Sequence, residues 1–531
     1  MIKNHPRLII TTALFLFLSL SLTTSAMTNR EENIRTLLIA LVGRLEQLQA
    51  IITSTSVASS ENLSGTLTTF VIDPIDGSNS RTEQGLQDDT GRQYSLQTPQ
   101  PLAIRSGTKI NIKKYQYNAN TNSVIIGNPA TDIETIGPQT TSTVFPDTMG
   151  VLPTAVILVD FLDSGPRPFT QEQITPVVFS GQFQNFYREQ SYDQTSIAGI
   201  VTDWQRVNRN GVVNGSCRWP GYQNNAELSS LISNSGVDLN THRRLIILAN
   251  HPCLSGGLST IGLTNFTING QVYHNVSLSY IGSLDIWNQP SNRGVQPFSW
   301  TNLDRLLSHE FGHSLGLQHS NGWDCGDQVF IGTCQHIEYG NGFDNMGGLV
   351  NGGYTLHWNG YQKELLGWLP PETILTIATS GRYTIAPLET LGGSGQIKTA
   401  KILLPPDPNN PNTQNRSLYL EYRRGIGFDA NLNKPWLLSN QTGLMANLQI
   451  KNNAGWNVQL LDLSPTTATW LSDLTQATLN APASKDDLRA LSAIVSSLSA
   501  KVISNQIPGV TLGPVISAGP SGVTFDIGLN F

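Results

Sequence analysis

Residues 308–319 constrain the fold of this chain more than any other segment, because three histidines and a glutamate recur there at short spacings in the sequence SHEFGHSLGLQH. Apolar residues recur every four positions at Leu303, Leu307, Phe311 and Leu315, a spacing that predicts an α-helix through the segment. With only 9 His in 531 residues, such a cluster is not expected by chance. The segment therefore indicates a dedicated chemical site.

The three histidines of this segment have the spacing of metal ligands. His309 and His313 lie one helical turn apart, so both imidazoles face one side of the helix and can bind the same ion. Gly316 is predicted to end the helix in a left-handed conformation, after which the chain can reverse and bring in His319 as a third nitrogen. Three nitrogen ligands with an open fourth position are typical of catalytic zinc.

Glu310 follows the first predicted ligand and is the candidate catalytic residue. From its place on the helix it is predicted to reach a metal-bound water without binding the metal. A carboxylate there can accept a proton from that water, after zinc has lowered the water's pKa toward about 7, and later deliver it to a leaving amine. A structural zinc site, the simpler alternative, favours four protein ligands and does not need this glutamate.

The constellation resembles the HExxHxxGxxH motif of the metzincin zinc peptidases, and within them the chain looks most like the gametolysin family. The matching stretches are residues 186–192, 199–201, 308–326, 338–341, 363–369, 419–423 and 427–429. The resemblance implies a secreted zinc endopeptidase that hydrolyses peptide bonds of extracellular proteins, with glycoproteins among its substrates. It also implies that Met346, in the turn 344–347, forms an apolar floor under the imidazoles without binding zinc.

The chain departs from these families at several positions. Asn341 stands where an Asp commonly follows a Tyr-Gly pair, and Gly348 stands where several metzincins place an oxyanion-stabilising Tyr. Tyr354 is a distant substitute for that tyrosine. No cysteine lies between Met27 and Ser216, so latency cannot depend on a propeptide thiolate and any zymogen control must work in another way.

Two alternatives stay open at the level of sequence. An exported adhesin or glycan-binding protein could keep a non-catalytic metal site, although such a site would tolerate Gln in place of Glu310. A gluzincin-like arrangement would replace His319 by a downstream glutamate such as Glu338. Measuring bound zinc after replacing His319 and Glu338 separately would distinguish the two ligand sets.

The first residues have the pattern of an export signal. Lys3 and Arg7 precede an uncharged apolar stretch over residues 8–22, and small residues at 24–26 provide a cleavage site. The apolar stretch is shorter than the roughly 20 residues that span a bilayer, and no other spanning segment follows. The predicted location is therefore extracellular or at the cell surface, with no stable membrane span after signal removal.

The four cysteines suit an exported chain as two disulfides. Cys325 and Cys334 would close a short loop, which leaves Cys217 and Cys253 as the second pair, although spacing alone does not exclude the other two connectivities. Near the first pair, the carboxylates of residues 324 and 327 are too few to assign a calcium site, so calcium stays possible but unassigned.

The remaining patterns predict an α/β (α+β) catalytic domain, metzincin-like by the resemblance, flanked by an N-terminal small β-barrel or sandwich and a C-terminal β domain. The continuous apolar runs at 155–159 and 245–248 suit strands buried on both faces, with a helix near 171–188. The predicted parts are a signal peptide (1–26), an amphipathic helix (27–55), the small β domain (56–128), a linker (129–150), the catalytic domain (151–370) and a β-rich domain (371–531) with a helix at 484–503.

The net charge of the chain limits which classes of macromolecule it can bind. Lys+Arg 32 against Asp+Glu 38 gives a net charge of -6, which provides no positive field for a phosphate backbone. Nucleic acid is therefore excluded as a main partner, and a polypeptide substrate is expected. The sequence does not fix the oligomeric state.

Overall fold

The structure of the protein is a computed structural model. It describes residues 57–58, 62–73, 80–136, 145, 147–222, 224–251, 254, 256–282, 290–291, 294–295, 300–326, 328–330, 334–347, 355–390, 395–406, 416–433, 443–452, 455–461, 463 and 503–531. The predicted signal peptide (1–26), the predicted helix at 27–55 and all but the last residue of the predicted helix at 484–503 lie outside these residues. That last residue, Ile503, begins a strand.

The N-terminal β region, by which we mean the described residues between 57 and 136, is built almost entirely of strands. Its elements are β1 (Val57–Ala58), β2 (Leu63–Asp73), β3 (Arg81–Asp88), β4 (Gln93–Gln97), β5 (Lys109–Ile112), β6 (Gln116–Asn118), β7 (Ser123–Ile125), α1 (Pro129–Asp132) and β8 (Ile133–Thr135). The predicted linker at 129–150 thus contains a helix and a strand. Strand β8 forms there because Ile133 pairs with Ile112 of β5 beside the apolar core of this region.

The central region alternates strands with helices. Its elements are β9 (Gly150–Phe161), α2 (Gln171–Ser180), α3 (Gln182–Gln190), β10 (Thr195–Val201), β11 (Gln205–Val207), β12 (Val212–Val213), β13 (Ser216–Cys217), α4 (Asn225–Ser235), β14 (Arg244–Asn250), β15 (Gly257–Thr260), β16 (Thr264–Ile268) and β17 (Gln271–Ile281). The predicted strands at 155–159 and 245–248 lie within β9 and β14. The predicted helix is divided at Gly181, where a Cβ would approach the carbonyl oxygen of Val177 to 2.5 Å.

The elements after β17 carry the histidine motif and then a β-rich C-terminal part. They are β18 (Pro290–Ser291), β19 (Gly294–Val295), α5 (Trp300–Ser314), β20 (Ser320–Asp324), β21 (Gln335–Ile337), α6 (Gly360–Leu365), β22 (Ile374–Thr376), β23 (Gly381–Ile385), β24 (Thr399–Leu404), β25 (Arg416–Arg423), β26 (Gly443–Asn452), β27 (Gly455–Leu461), β28 (Ile503–Ile507), β29 (Val510–Gly519) and β30 (Gly522–Leu529), with 3-10 helices at Pro371–Thr373 and Gly427–Asn433. The chain is thus mixed α/β, mostly sheet with few helices, which confirms the predicted class.

The largest sheet joins the N-terminal and central regions. Its central strands β10, β9, β14 and β17 pair in parallel, β15 pairs antiparallel with β17, and β2 pairs antiparallel with β15. The strands predicted as a separate flanking barrel or sandwich therefore continue the same sheet. The C-terminal sheet also crosses the predicted boundary at residue 370, because β20 pairs with β27.

The apolar cores explain how the histidine helix is held. One cluster packs α2, α3 and α5 on the central sheet and includes Tyr187, Phe311, Met346 and Trp358, all of them buried. A second cluster covers the opposite face of that sheet, and the N-terminal β region has a core of its own. Helix α5 therefore lies on a rigid support. Among the described helices, none has the length and apolar character needed to cross a bilayer.

Candidate metal centre

Helix α5 positions two of the predicted ligands. It runs through His309 and His313 and ends at Ser314, and Gly316 follows with φ +109°, which confirms the predicted left-handed turn after the helix. The buried guanidinium of Arg244 donates to the carbonyl oxygen of Ser314 at 2.6 Å. A cation suits this end of the helix because the free carbonyls there carry partial negative charge.

The side chains of the three predicted ligands converge on one point, together with a fourth residue. The Nε2 atoms of His309 and His313 are 3.2 Å apart. Oδ2 of Asp73 lies 3.2 Å from Nε2 of His309, 3.0 Å from Nε2 of His313 and 3.1 Å from Nε2 of His319. All four residues are buried. Asp73 ends strand β2, so the N-terminal β region contributes directly to this cluster.

The second nitrogen of each imidazole has a hydrogen-bond acceptor. Nδ1 of His309 lies 2.6 Å from the carbonyl oxygen of Asn345, and Nδ1 of His313 lies 2.8 Å from that of Leu317. Nδ1 of His319 lies 2.5 Å from Oε1 of Glu338. An Nδ1 that faces an acceptor carries the proton, so in the neutral rings the Nε2 lone pairs point inward.

With all three rings neutral, three inward lone pairs and a carboxylate would repel one another, and either a bound metal ion or a proton on His319 relieves that repulsion. The spacing also fits a metal, because a tetrahedral ion with ligand bonds of about 2.0 to 2.1 Å separates its ligand atoms by about 3.3 Å. The three distances from Oδ2 of Asp73 to the Nε2 atoms and the distance between His309 and His313, all 3.0 to 3.2 Å, are close to that value. The group Asp73, His309, His313 and His319 could therefore hold a metal ion.

Burial and the neighbouring carboxylates set the protonation of the ring nitrogens. Burial lowers the pKa of His309 to about 4 and also lowers that of His313, so both rings are neutral near pH 7. Burial would lower the pKa of His319 as well, but Asp73 and Glu338 raise it to about 10. His319 is therefore a cation near pH 7 in this structure, and a metal ion that bound at Nε2 would displace the proton there.

Glu310 lies beside the cluster and is not one of its four members. Its Oε2 accepts a hydrogen bond of 2.7 Å from the hydroxyl of Ser259 on β15, whereas its Oε1 is buried and has no hydrogen-bond partner. Burial, followed by the charge of Asp73, raises the pKa of Glu310 well above its usual range. A Cβ at Gly257 would come within 1.9 Å of Oε1, so glycine makes room for this carboxylate.

The turn 344–347 lies against helix α5. Met346 is buried, and its sulfur would be 2.5 Å from a Cβ at Gly312, which lies between the two helical histidines. Asp344 fixes the turn, because its Oδ1 accepts from the backbone N–H of Met346 at 2.8 Å and its Oδ2 from that of Asn359 at 2.8 Å. The turn thereby also presents the Asn345 carbonyl to His309.

Sequence reasoning missed two residues of the site. Asp73 lies 236 residues before His309, and no spacing rule connects them. The hydroxyl of Tyr339 donates to Oδ1 of Asp73 at 2.6 Å, and its ring lies 4.2 Å from that of His319. Tyr339 has φ +56°, which is uncommon for a bulky residue and favours a functional constraint. In the sequence, the Tyr-Gly pair had indicated only that Asn341 departs from the family pattern, and it had not indicated a role for Tyr339.

The structure decides among several other predictions. Glu338 contacts the outer nitrogen of His319 and does not belong to the four-residue group, which argues against the gluzincin-like ligand set. The carboxylate of Asp324 accepts from the N–H of Gly326 and is not part of a ligand group among the described residues. Asn341 holds its own loop, because its Oδ1 accepts from the N–H of Phe343. Asp327, Gly348 and Tyr354 lie outside the described residues.

The predicted disulfide between Cys325 and Cys334 is confirmed. It closes a loop between β20 and β21, the strands that flank His319 and Glu338. Cys217 is also disulfide-bonded, and its predicted partner Cys253 lies outside the described residues.

Comparison with known proteins adds no assignment to this geometry. The chain matches no protein-family model and no curated protein. The resemblance to metzincins and to the gametolysin family therefore stays a prediction from the motif.

Proposed function

We propose that this protein is a secreted zinc endopeptidase, with a metzincin-like catalytic region most similar to gametolysins. The observation that carries the proposal is that the Nε2 atoms of His309, His313 and His319 each lie within 3.2 Å of one carboxylate oxygen of Asp73, with the carboxylate of Glu310 beside them. Zinc suits three nitrogen donors and one oxygen at this spacing. The signal-like N-terminus and the disulfide between Cys325 and Cys334 agree with an extracellular location.

The ligands of the zinc ion would be His309, His313 and His319, each oriented through its Nδ1 hydrogen bond. When bound, zinc polarises a substrate carbonyl and lowers the pKa of a coordinated water to about 7. The outer contacts of the three rings hold their Nε2 atoms in place, and such contacts typically affect metal affinity by 10- to 100-fold. Met346 closes the apolar side of the site against Gly312.

Glu310 is the proposed general base. Its Oε2 is held by Ser259, which leaves Oε1 to accept a proton from the attacking water and to pass it to the leaving amine. Burial raises its pKa, which brings a carboxylate closer to the value that suits proton transfer near neutral pH. An amide at this position cannot accept the proton.

Tyr339 is the proposed oxyanion-stabilising residue in place of Tyr354. Its hydroxyl donates to Oδ1 of Asp73, and the other oxygen of that carboxylate contacts the three histidine Nε2 atoms, so the hydroxyl lies next to the proposed metal position. A hydroxyl fixed at that point can donate to a carbonyl oxygen as negative charge develops on it. Removing one such donor typically costs about 100- to 1000-fold in kcat.

The test separates metal binding from turnover. Asp73 fills the fourth ligand position, so the comparison is made in an Asp73→Asn background. Adding Glu310→Gln should keep zinc, measured by mass spectrometry of the metal, but lower casein hydrolysis by several orders of magnitude. The matched control is Glu372→Gln, an exposed glutamate outside the site, which should change neither quantity. Casein hydrolysis within tenfold of the background in the Glu310→Gln protein would contradict the proposal, and a chelator must abolish activity.

A further inference from the structure

Strand β2 occupies the edge of the central sheet beside the metal centre. Strand β15 pairs on one side with β17 of the central region and on the other side with β2, where Phe70 lies opposite Thr260 and Asp73 opposite Gly257. Without β2, the outer N–H and C=O groups of β15 would form an open edge. Such an edge accepts an extended polypeptide through main-chain hydrogen bonds.

The last residue of β2, Asp73, also occupies the position at which a bound metal would hold water. Asp73 directs Oδ2 to the three histidine nitrogens and Oδ1 to the hydroxyl of Tyr339, and its side chain is buried. A carboxylate oxygen at about 2 Å from zinc would complete a tetrahedral set of four protein ligands. Catalytic zinc requires an open position for water, whereas four protein ligands are typical of closed sites.

We propose that the structure is a latent state in which the N-terminal β region inhibits its own chain, with Asp73 as a removable fourth metal ligand. This inference rests on the proposed function and concerns its regulation. Peptide hydrolysis needs a free strand edge that can pair with the substrate and an open metal position that can bind water. The single strand β2 blocks both, because it covers the edge of β15 and its Asp73 takes the position of the attacking water. With no cysteine in residues 27–216, a carboxylate performs the task that a thiolate could otherwise perform.

The N-terminal β region is built to separate from the rest as a unit. It has its own apolar core, formed by Leu67, Leu86, Leu96, Leu102, Ile110, Ile112, Val124 and Ile126. Its side-chain contacts with the central region include polar pairs, such as Thr68 with Thr264 and Gln87 with Thr267, and the apolar packing of Phe70 and Ile72 on the central cluster. If the whole region separated as one unit, its own core would stay covered and water would replace the polar contacts, while Phe70 and Ile72 would become exposed.

The experiment uses the full chain with Glu310→Gln, so that no turnover complicates binding. The protein is loaded with Co²⁺, and acetohydroxamate, a small bidentate chelator that needs open coordination positions, is titrated while the visible spectrum is recorded. Asp73→Asn should bind acetohydroxamate at least 100-fold more tightly than the parent, because a carboxamide is a weaker ligand. Asp89→Asn, which removes an exposed carboxylate in the same region, should behave as the parent.

Melting temperatures show whether each variant is folded, and Asp73→Ala provides a second replacement if Asp73→Asn is unstable. Equal acetohydroxamate affinity in the parent and in folded, cobalt-loaded Asp73 variants would overturn the latent state. Failure of every protein to bind cobalt would refute the metal centre and this inference together. Tighter acetohydroxamate binding in the folded Asp73 variants would support the latent state whether or not the Glu310-containing Asp73→Asn protein hydrolyses casein, because β2 still covers the edge of β15 in that protein.

Discussion

Gly257 offers a way to displace the proposed base without touching a metal ligand. A Cβ added there would lie 1.9 Å from Oε1, 2.0 Å from Cδ and 2.5 Å from Cγ of Glu310. To restore ordinary contact distances, the carboxylate must move by about 1.5 Å or more. A displacement of about 1 Å in a catalytic group can cost about 100-fold in rate. We therefore expect Gly257→Ala to lower kcat by 100-fold or more.

The same substitution should cost only about 1 to 3 kcal/mol of stability, since the crowded atoms belong to one flexible side chain. The assay compares casein hydrolysis and zinc content in the Asp73→Asn background. Gly127→Ala is the matched control, because a Cβ at Gly127 meets nothing within 4 Å. Full zinc occupancy with reduced turnover is the expected result. Turnover within threefold of the control would show that the position of Glu310 does not limit the reaction.

Three further predictions concern the support of the site. Gly312→Ala should lower the melting temperature and weaken zinc binding in a chelator competition, because its Cβ would lie 2.5 Å from the sulfur of Met346; unchanged values would remove the methionine as a support. Burial raises the pKa of Asp304 to about 7, so the folded chain retains a proton that the unfolded chain has lost above about pH 4, and the free energy of unfolding falls as pH rises through this window. Asp304→Asn should reduce the stability loss between pH 5 and pH 8 by about 2 to 3 kcal/mol in urea titrations, and an unchanged pH slope would contradict this. Replacing Cys325 and Cys334 together by Ser should cost about 2 to 4 kcal/mol in the same titrations yet leave the pH profile of activity unchanged; a shifted profile would implicate a thiol in the chemistry.

The histidine helix could be predicted from sequence because its determinants are local. The apolar period of four residues requires a helix, and Gly316 adopts the positive φ that its position after the last turn demands. His309, His313 and His319 then meet within a short stretch of chain. Spacing could not decide whether His319 or Glu338 is the third ligand. The structure distinguishes them, because Glu338 contacts Nδ1 of His319, the nitrogen on the outer side of the ring.

Asp73 and Tyr339 could not be predicted in the same way, because their roles depend on long-range pairing. Asp73 reaches the histidines only because β2 adds to β15, which lies almost 200 residues later in the chain. Strand β15 has only four residues and both strands are partly polar, so nothing in their sequences specifies that they pair with each other. The N-terminal strands therefore suggested a separate barrel or sandwich, whereas the sheet is continuous.

The register between β2 and β15 determines which face of the central sheet Asp73 reaches. Phe70 and Ile72 pack on the cluster on one face of the central sheet, and Phe70 makes an edge contact with Tyr222 at 5.3 Å. Side chains alternate along a strand, so this packing directs Asp73 to the opposite face, where the histidines lie. A shift of one residue would turn the carboxylate away from the histidines and bury it among apolar groups. The packing of Phe70 and Ile72 therefore favours the register in which Asp73 lies opposite Gly257. Gly257 has no side chain, and this leaves space for the carboxylate of Glu310.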